Sequence, residues 1–328
     1  MTLQGKTALI TGGAKGIGYA TAVRLIEEGC SLMLWDIDEE ALESAQTRLS
    51  EYSRSHRSSK RASHRPAPVI HTDTCDVSAP EEVAACARTA EKALGHIHFL
   101  INNAGFMAPG YFTEQDVSAW HRTIDINVQA VISLTHVFLP EMYRHNFGRV
   151  VNISSAAGLV GVPGLSAYSA SKWAVFGLTE ALRAEARALG KNVRFSSIHP
   201  MFLKSGMFAG AELNFFGRML FPRVSGHDVI AKAIVIDALK RGARCPRRPR
   251  ALRLVPLLRG LLPDAAFSAL GRLMGLHTSM HNWTGRPGQT GPAPQHSGAG
   301  SPQSSHHSHH SHHSHHSRHS HQEPRDEQ

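Results

Sequence analysis

Short apolar runs alternate with stretches of helical period along the first two thirds of the chain. Residues 7–11, Thr-Ala-Leu-Ile-Thr, form an unbroken apolar run, which predicts a strand buried on both faces. Ala20, Val23, Leu25 and Ile26 then recur at helical spacing up to Gly29. The same alternation continues with a strand over Ser31–Trp35, a helix over 38–50, a short strand over Val69–His71 and a helix over 80–93. Ile97–Ile101 reads as a strand, Val117 to His145 as one long helical stretch, and Gly148–Ile153 as a fifth strand. A helix from about Ser166 to Leu189 and a sixth strand over Val193–Ile198 complete it. Strands joined by helical crossovers predict a doubly wound parallel sheet covered on both faces. Ligands of such sheets bind at the carboxyl ends of the strands.

The pattern fails in three places. Residues 51–68 are rich in Ser, Arg and His, with Pro66 and Pro68, and carry no apolar period. They read as an exposed, disordered basic insertion. After Lys240 come Arg244-Cys-Pro-Arg-Arg-Pro-Arg250, a leucine-rich stretch from Leu252 to Pro263 and an apolar helix over Ala265–Leu276. Arginines interleaved with leucines suit a helix lying on a membrane surface, and equally a helix folded back over a pocket. Residues 285–328 are rich in Gly, Pro and Ser, with His-His-Ser repeats from His306 to His316. They read as a disordered tail; metal binding by the clustered imidazoles is the alternative to a plain tail. The expected organisation is therefore a domain over 1–245, a basic, leucine-rich extension over 246–284, and the tail.

Composition adds little to this and excludes a few classes. The chain of 328 residues carries a formal charge of +9. The excess sits in two clusters, Arg54–Arg65 and Lys240–Arg259, so a specific nucleic-acid partner is not expected. No run of eighteen apolar residues suggests a membrane-spanning helix, and the N-terminus does not read as a secretory signal. Cys30, Cys75, Cys86 and Cys245 form no CxxC pair and read as reduced thiols of a cytoplasmic protein.

The candidate chemistry lies at the predicted strand ends. Gly12-Gly13-Ala14-Lys15-Gly16-Ile17-Gly18 stands between a strand and a helix. There a glycine-rich turn lets backbone approach a pyrophosphate at the helix N-terminus. Asp36 ends the second strand, at the distance expected of a ribose-binding carboxylate, and favours NAD over NADP. Lys15 argues the other way, as a base able to reach a 2′-phosphate, but no arginine follows Asp36. Asp76 and Val77 follow the third strand, where an adenine would lie. Asn102-Asn103-Ala104-Gly105 turns at the end of the fourth, and Pro200 ends the sixth. Asn127, inside the long helical stretch, is a buried structural amide or a break that serves a site. Ser154 and Ser155 follow the fifth strand. Ser166-Ala-Tyr168-Ser-Ala-Ser-Lys172 places a phenol and an ammonium four residues apart, on one helix face. A lysine charge beside a phenol favours the phenolate and suits it to acid–base work.

Taken in order, these motifs closely resemble those of the short-chain dehydrogenase/reductase family, over about residues 4–240. The resemblance implies a Rossmann-like α/β fold and hydride transfer between a nicotinamide cofactor and a secondary alcohol or ketone. It assigns Tyr168 as general acid/base, and Lys172 as its pKa-lowering partner and ribose ligand. Ser155 would stabilise the substrate oxygen, and Asn127 would hold a water in a proton relay. Gly12, Lys15, Gly16, Ile17, Gly18, Asp36, Asp76, Val77, Asn103, Ala104, Gly105 and Pro200 would contact the cofactor. Met201 stands where the family commonly has glycine, and Ser205 where it has the threonine that meets the carboxamide. The apolar loop Phe202–Phe221 implies a hydrophobic substrate such as a lipid, steroid or retinoid. The alternatives are an NADPH-dependent carbonyl reductase, of the same class, and a non-catalytic cofactor-binding scaffold, of a different one. A homo-oligomer is expected, a dimer before a tetramer. Beyond Lys240 the chain departs from the family's ending, which forms a final strand, so no seventh strand is expected.

Overall fold

Seven parallel strands carry the protein in the computed structural model, which describes residues 1–59 and 67–283. β1 (Thr7–Thr11), β2 (Ser31–Asp36), β3 (Ile70–Thr74), β4 (Phe99–Asn102), β5 (Gly148–Ile153), β6 (Val193–Pro200) and β7 (Arg247–Arg248) lie in the order β3-β2-β1-β4-β5-β6-β7. The chain winds outward from β1 to β3, then returns to the other side of β1 with β4. That reversal opens a crevice at the carboxyl ends of β1 and β4. Every residue of β1, β4 and β5 is buried, which is why these strands read as continuous apolar runs rather than alternating ones.

The helices are α1 (Gly16–Glu27), α2 (Glu39–Ser59), α3 (Pro80–Leu94), α4 (Val117–Ile124), α5 (Ala130–Arg144), α6 (Ser166–Ala188), α7 (Phe215–Leu220), α8 (His227–Lys232), α9 (Leu254–Leu261) and α10 (Asp264–Leu273). Side chains of one strand alternate between two cores, as the period of two requires. Ala8, Ile10, Leu32, Leu34, Phe99 and Ile101 join Leu25 and Ile26 of α1 and Leu42 and Leu49 of α2. Leu9, Met33, Trp35 and Leu100 face the other way, against Val83 and Ala87 of α3 and Leu134 and Phe138 of α5.

The structure departs from the sequence reading in three ways. First, α2 does not stop near residue 50 but runs to Ser59. Ser53 is buried, the Tyr52 hydroxyl donates to Glu27 at 2.6 Å, and the Tyr52 and His56 rings stack with centroids 5.6 Å apart. One or two contacts per turn hold a helix there without an apolar stripe. The rest of the expected insertion, residues 60–66, and the histidine-rich tail lie outside the described residues. Second, the stretch 117–145 is two α-helices joined by a π-helical segment, Asp125–Gln129. Such wide turns mark local rearrangement of the helix, and Asn127 lies inside this one. Third, a seventh strand exists. Arg247 and Arg248 pair with His199 and Pro200, and the ladder is extended by Ser197 N–H to Arg244 O (2.9 Å) and Met201 N–H to Arg248 O (2.7 Å). A ladder needs only backbone, and arginine side chains suit an edge strand, where charge discourages pairing with another chain.

Candidate active site

A cleft of about 490 Å³ opens at the carboxyl edge of the sheet. Gly12, Lys15, Gly16, Ile17, Asp36, Asp76, Val77, Asn103–Gly105, Ser155, Tyr168, Lys172 and Pro200 all line it, so the predicted residues from seven separate segments meet. Gly18 packs behind this wall. A Cβ at Gly18 would stand 2.1 Å from the Gly12 carbonyl oxygen, so this glycine serves the close contact of helix and loop. Gly16 has φ +58, the left-handed region that favours glycine, and presents bare backbone to the cleft. Asn103 secures the loop: its side-chain amide donates to the carbonyls of Thr11 (2.9 Å) and Gly12 (3.0 Å).

The electrostatics of the two ends differ. Asp36 accepts from Ala14 N–H at 3.2 Å and Ile37 N–H at 2.9 Å, which fixes its carboxylate while leaving lone pairs for further donors. Lys15 forms an ion pair with Asp38. Its charge is thus already answered by a carboxylate, which weakens its claim on a 2′-phosphate. Asp76 faces solvent and accepts from Ser78 N–H and Oγ–H, while Val77 is buried.

At the other end α6 carries Tyr168 and Lys172, both buried. Lys172 Nζ donates to the Ile153 carbonyl at 2.9 Å and stands 5.5 Å from the centroid of the Tyr168 ring. Burial pushes the Lys172 ammonium down to about 8. Burial also raises the Tyr168 phenol above its ordinary value, with the Ser155 hydroxyl pulling weakly the other way. In the free protein desolvation therefore outweighs the lowering that the lysine spacing suggests. Ser155 Oγ accepts from Ala157 N–H at 3.2 Å, so its own proton is left to donate. Ser154 is committed elsewhere, donating to the Lys172 carbonyl at 2.9 Å.

Asn127 is fully buried and its side-chain amide is spent. Its Oδ1 accepts from Phe106 N–H (2.9 Å), and its Nδ2 donates to Phe106 O (2.8 Å) and Ser171 Oγ (3.0 Å). It staples the loop after β4 to α6, beside Gly105, where a Cβ would lie 3.4 Å from Asn127 Oδ1 and 3.8 Å from Lys172 Nζ.

Two histidines that the motifs did not single out also belong here. His199 is buried under the site; its Nδ1–H donates to the Ser155 carbonyl at 3.0 Å and its Nε2 meets Ser197 Oγ at 3.0 Å. Burial lowers it to about 4, so it is neutral and holds the Ser155 backbone. Its signal was a lone polar ring in the apolar strand β6. His227, at the start of α8, lines the cleft beside the glycine loop, and nothing in its local sequence announces that.

A second cavity, of about 510 Å³, adjoins the first. Its wall is apolar and comes from Val160, Phe202, Leu213, Phe221, Leu252, Val255, Phe267 and Leu270 among others. Ser155, Pro200, Met201 and Phe208 line both cavities. The extension thus folds back: α9 and α10 cover this cavity.

The residues present fit a dinucleotide. The first-turn N–H groups of α1 have no side-chain cap among the described residues, Asp36 is set to accept hydroxyls, and Gly105 leaves room beside Lys172. Comparison with known proteins agrees. The family model of short chain dehydrogenases matches residues 6–214. Epidermal retinol dehydrogenase 2 of Mus musculus is 31% identical over 287 residues, 87% of each chain. Putative oxidoreductase SadH of Mycobacterium tuberculosis is 33% identical, over 74% of this chain and 86% of its own. A short chain dehydrogenase/reductase from Burkholderia phymatum, solved in complex with NAD, shares the fold with a TM-score of 0.66 and 27% identity, covering 82% of this chain and 96% of that one. The chain belongs to the short-chain dehydrogenase family and is an NAD(P)-dependent oxidoreductase of alcohols and ketones.

Proposed function

We propose that the protein exchanges hydride between NAD(H) and a hydrophobic secondary alcohol or ketone of lipid, steroid or retinoid size. The observation that carries this reading is the shared wall. An apolar cavity of about 510 Å³ meets the polar cleft at Ser155 and Pro200, so an apolar molecule held there would reach the cofactor with its oxygen at Ser155. The retinol dehydrogenase relative supports the same substrate class. Asp36, with Lys15 held by Asp38, supports NAD over NADP.

When bound, the nicotinamide supplies or accepts the hydride. Tyr168 gives its phenolic proton to the carbonyl oxygen as the ketone is reduced, or takes it back as the alcohol is oxidised. Ser155 Oγ–H donates to the same oxygen and stabilises the charge that develops on it. Lys172, anchored on the Ile153 carbonyl, orients the ribose and supplies the positive charge beside the phenol. Asn127 is a positioning residue: its amide ties Phe106 to Ser171 and so holds the loop after β4 against α6. Because burial raises the phenol, the free enzyme keeps its proton at neutral pH and is set for reduction; oxidation gains as pH rises. A screen over steroids, retinoids, fatty alcohols and small polar alcohols, with NAD and NADP, tests the reading. The expected result is a kcat/KM that climbs with apolar size. A preference for small polar alcohols would defeat it.

The outer side of the same cover supports peripheral contact with an anionic membrane. No helix among the described residues is long and apolar enough to cross one. Phe215, Leu261 and Leu273 are 68%, 71% and 64% exposed, and Arg253 of the same cover is exposed too. Exposed large apolar side chains with arginine on the same cover suit the lipid interface. Flotation with anionic liposomes at low salt should carry the protein upward; absence of binding there would end this part of the reading.

A further inference from the structure

At the amino ends of the strands, opposite the cleft, three ligand-type side chains converge. His96 lies in the turn between α3 and β4, and Glu141 and His145 occupy the last turn of α5 and the residue that ends it. Their donor atoms all lie within 4.8 Å of one another. The spacing of Glu141 and His145, four residues apart on one helix, points both the same way. His145 Nε2 already meets Glu141 Oε1 at 2.7 Å.

His96 supplies a second, independent observation. Both of its ring nitrogens are shielded from solvent, and neither meets a partner at full hydrogen-bond geometry, the Phe147 backbone being the polar group alongside. A buried polar atom left without a partner is destabilising, so an imidazole in this state favours a ligand that supplies one. Its neighbours are rings: His98 at 4.7 Å and His145 at 4.3 Å between centroids. Burial, with His145 alongside, holds His96 below its ordinary value.

We infer that His96, Glu141 and His145 form a site for a borderline transition-metal dication such as zinc, which ties the turn before β4 to the end of α5. Two imidazoles and a carboxylate match the donor preference of zinc, with water completing the tetrahedron. Ligand atoms of a zinc tetrahedron stand about 3.3 Å apart, given bonds of ~2.0–2.1 Å. The Glu141–His145 pair, now at 2.7 Å, has to open and the contacts with His96 have to close to reach that value, and His145 is exposed and can turn. Arg144 holds both oxygens of Glu141, Nε on Oε2 at 2.8 Å and Nη2 on Oε1; metal binding exchanges the second bond for the ion, while the first remains as outer-shell support of the carboxylate. Lys6 and Arg144 bring positive charge near the site and hold its affinity below that of a closed structural zinc centre. The site lies away from Tyr168, so its role is to stabilise the fold, not to take part in turnover.

The histidine-rich tail would bind the same ions, so the test uses the full chain with the tail histidines from His306 to His321 changed to serine. Added zinc at saturation should raise the Tm of that protein by roughly 3–5 °C. His96→Gln, Glu141→Gln and His145→Gln should each remove most of that rise, while the Tm without metal shifts little for His96→Gln, which has no hydrogen bond of full geometry to lose. Ketone reduction should be unchanged by the metal or by the substitutions. No rise with zinc, or a rise that survives all three substitutions, would overturn the site.

Discussion

Two cavities share one wall and are made in different ways. The cofactor cleft is polar and is assembled at strand ends, where the fold leaves few choices: Gly16 by its backbone angle, Gly18 by a carbonyl in its way, Asp36 by three backbone N–H groups. The adjoining cavity is apolar and is assembled from loops and from α9 and α10. Its wall needs volume and apolarity, which many sequences supply. A short-chain dehydrogenase can therefore keep its chemistry and change its substrate by rebuilding its last third. Changes on the two sides of the wall should separate cleanly in kinetics.

The largest separation is expected from Tyr168→Phe. The ring is kept, and with it the edge-to-face contact with Phe208 at 5.5 Å between centroids; only the proton donor goes. Turnover should fall about 10²–10⁴-fold in both directions, while NADH binding, followed by nicotinamide fluorescence, stays within about threefold. Retained turnover on every substrate would remove the phenol from the mechanism. Asp36→Ala comes next. Loss of charge-assisted hydrogen bonds to the ribose should weaken NADH binding about 10–100-fold and leave NADPH binding unchanged or improved. Tighter binding of NADPH than of NADH by the unaltered protein would reverse the cofactor preference argued from Asp36.

These two predictions rest on residues that were legible in the chain. The first six strands and the loop, Asp36, Ser155 and Tyr168 could be read because each answers a local demand: an apolar run, a turn, a strand end, one helix face. What escaped reading depended on distant partners. Arg247 and Arg248 look like a basic linker until His199 and Pro200 offer them a ladder. The π turn around Asn127 is set by Phe106 and Ser171, neither near it in sequence. Whether Leu252 and Phe267 line a cavity or meet lipid could not be told from leucine and arginine spacing, since one helix can do one thing on each face. The burial of the phenol escapes the sequence for a related reason: spacing reports the neighbouring charge, not the depth of burial.

Phe267→Ala probes the apolar side of the wall. Phe267 lines the substrate cavity and lies under Arg259, 5.7 Å from the ring centroid. Its loss should raise KM for a long apolar substrate roughly 10-fold and leave kcat for a short ketone within about twofold. An equal effect on both substrates would mean that α10 supports the site as a whole, and that the two cavities are not separable.

The smallest expected effect concerns stability, and it isolates the polar side. Lys172 is pushed from its ordinary 10.5 to about 8 by burial. Between those values the unfolded chain holds a proton that the folded one has released, so this group makes stability rise with pH across the window. Tyr168 acts oppositely: raised above 10, it costs stability once the unfolded phenol ionises. Buried Cys30, raised from 9.0 to about 12, acts in the same sense as Tyr168 and begins lower. The raw Tm profile is thus a sum of opposed slopes, and only a difference reads Lys172. Lys172→Met leaves the tyrosine and cysteine contributions in place. The Tm of the unaltered protein, relative to that of Lys172→Met, should climb by roughly 2–4 °C from pH 8 to pH 10.5. A flat difference would mean that Lys172 keeps its ordinary affinity for the proton. Its bond to the Ile153 carbonyl would then outweigh its burial, and the phenol would have a full positive charge beside it throughout the working range.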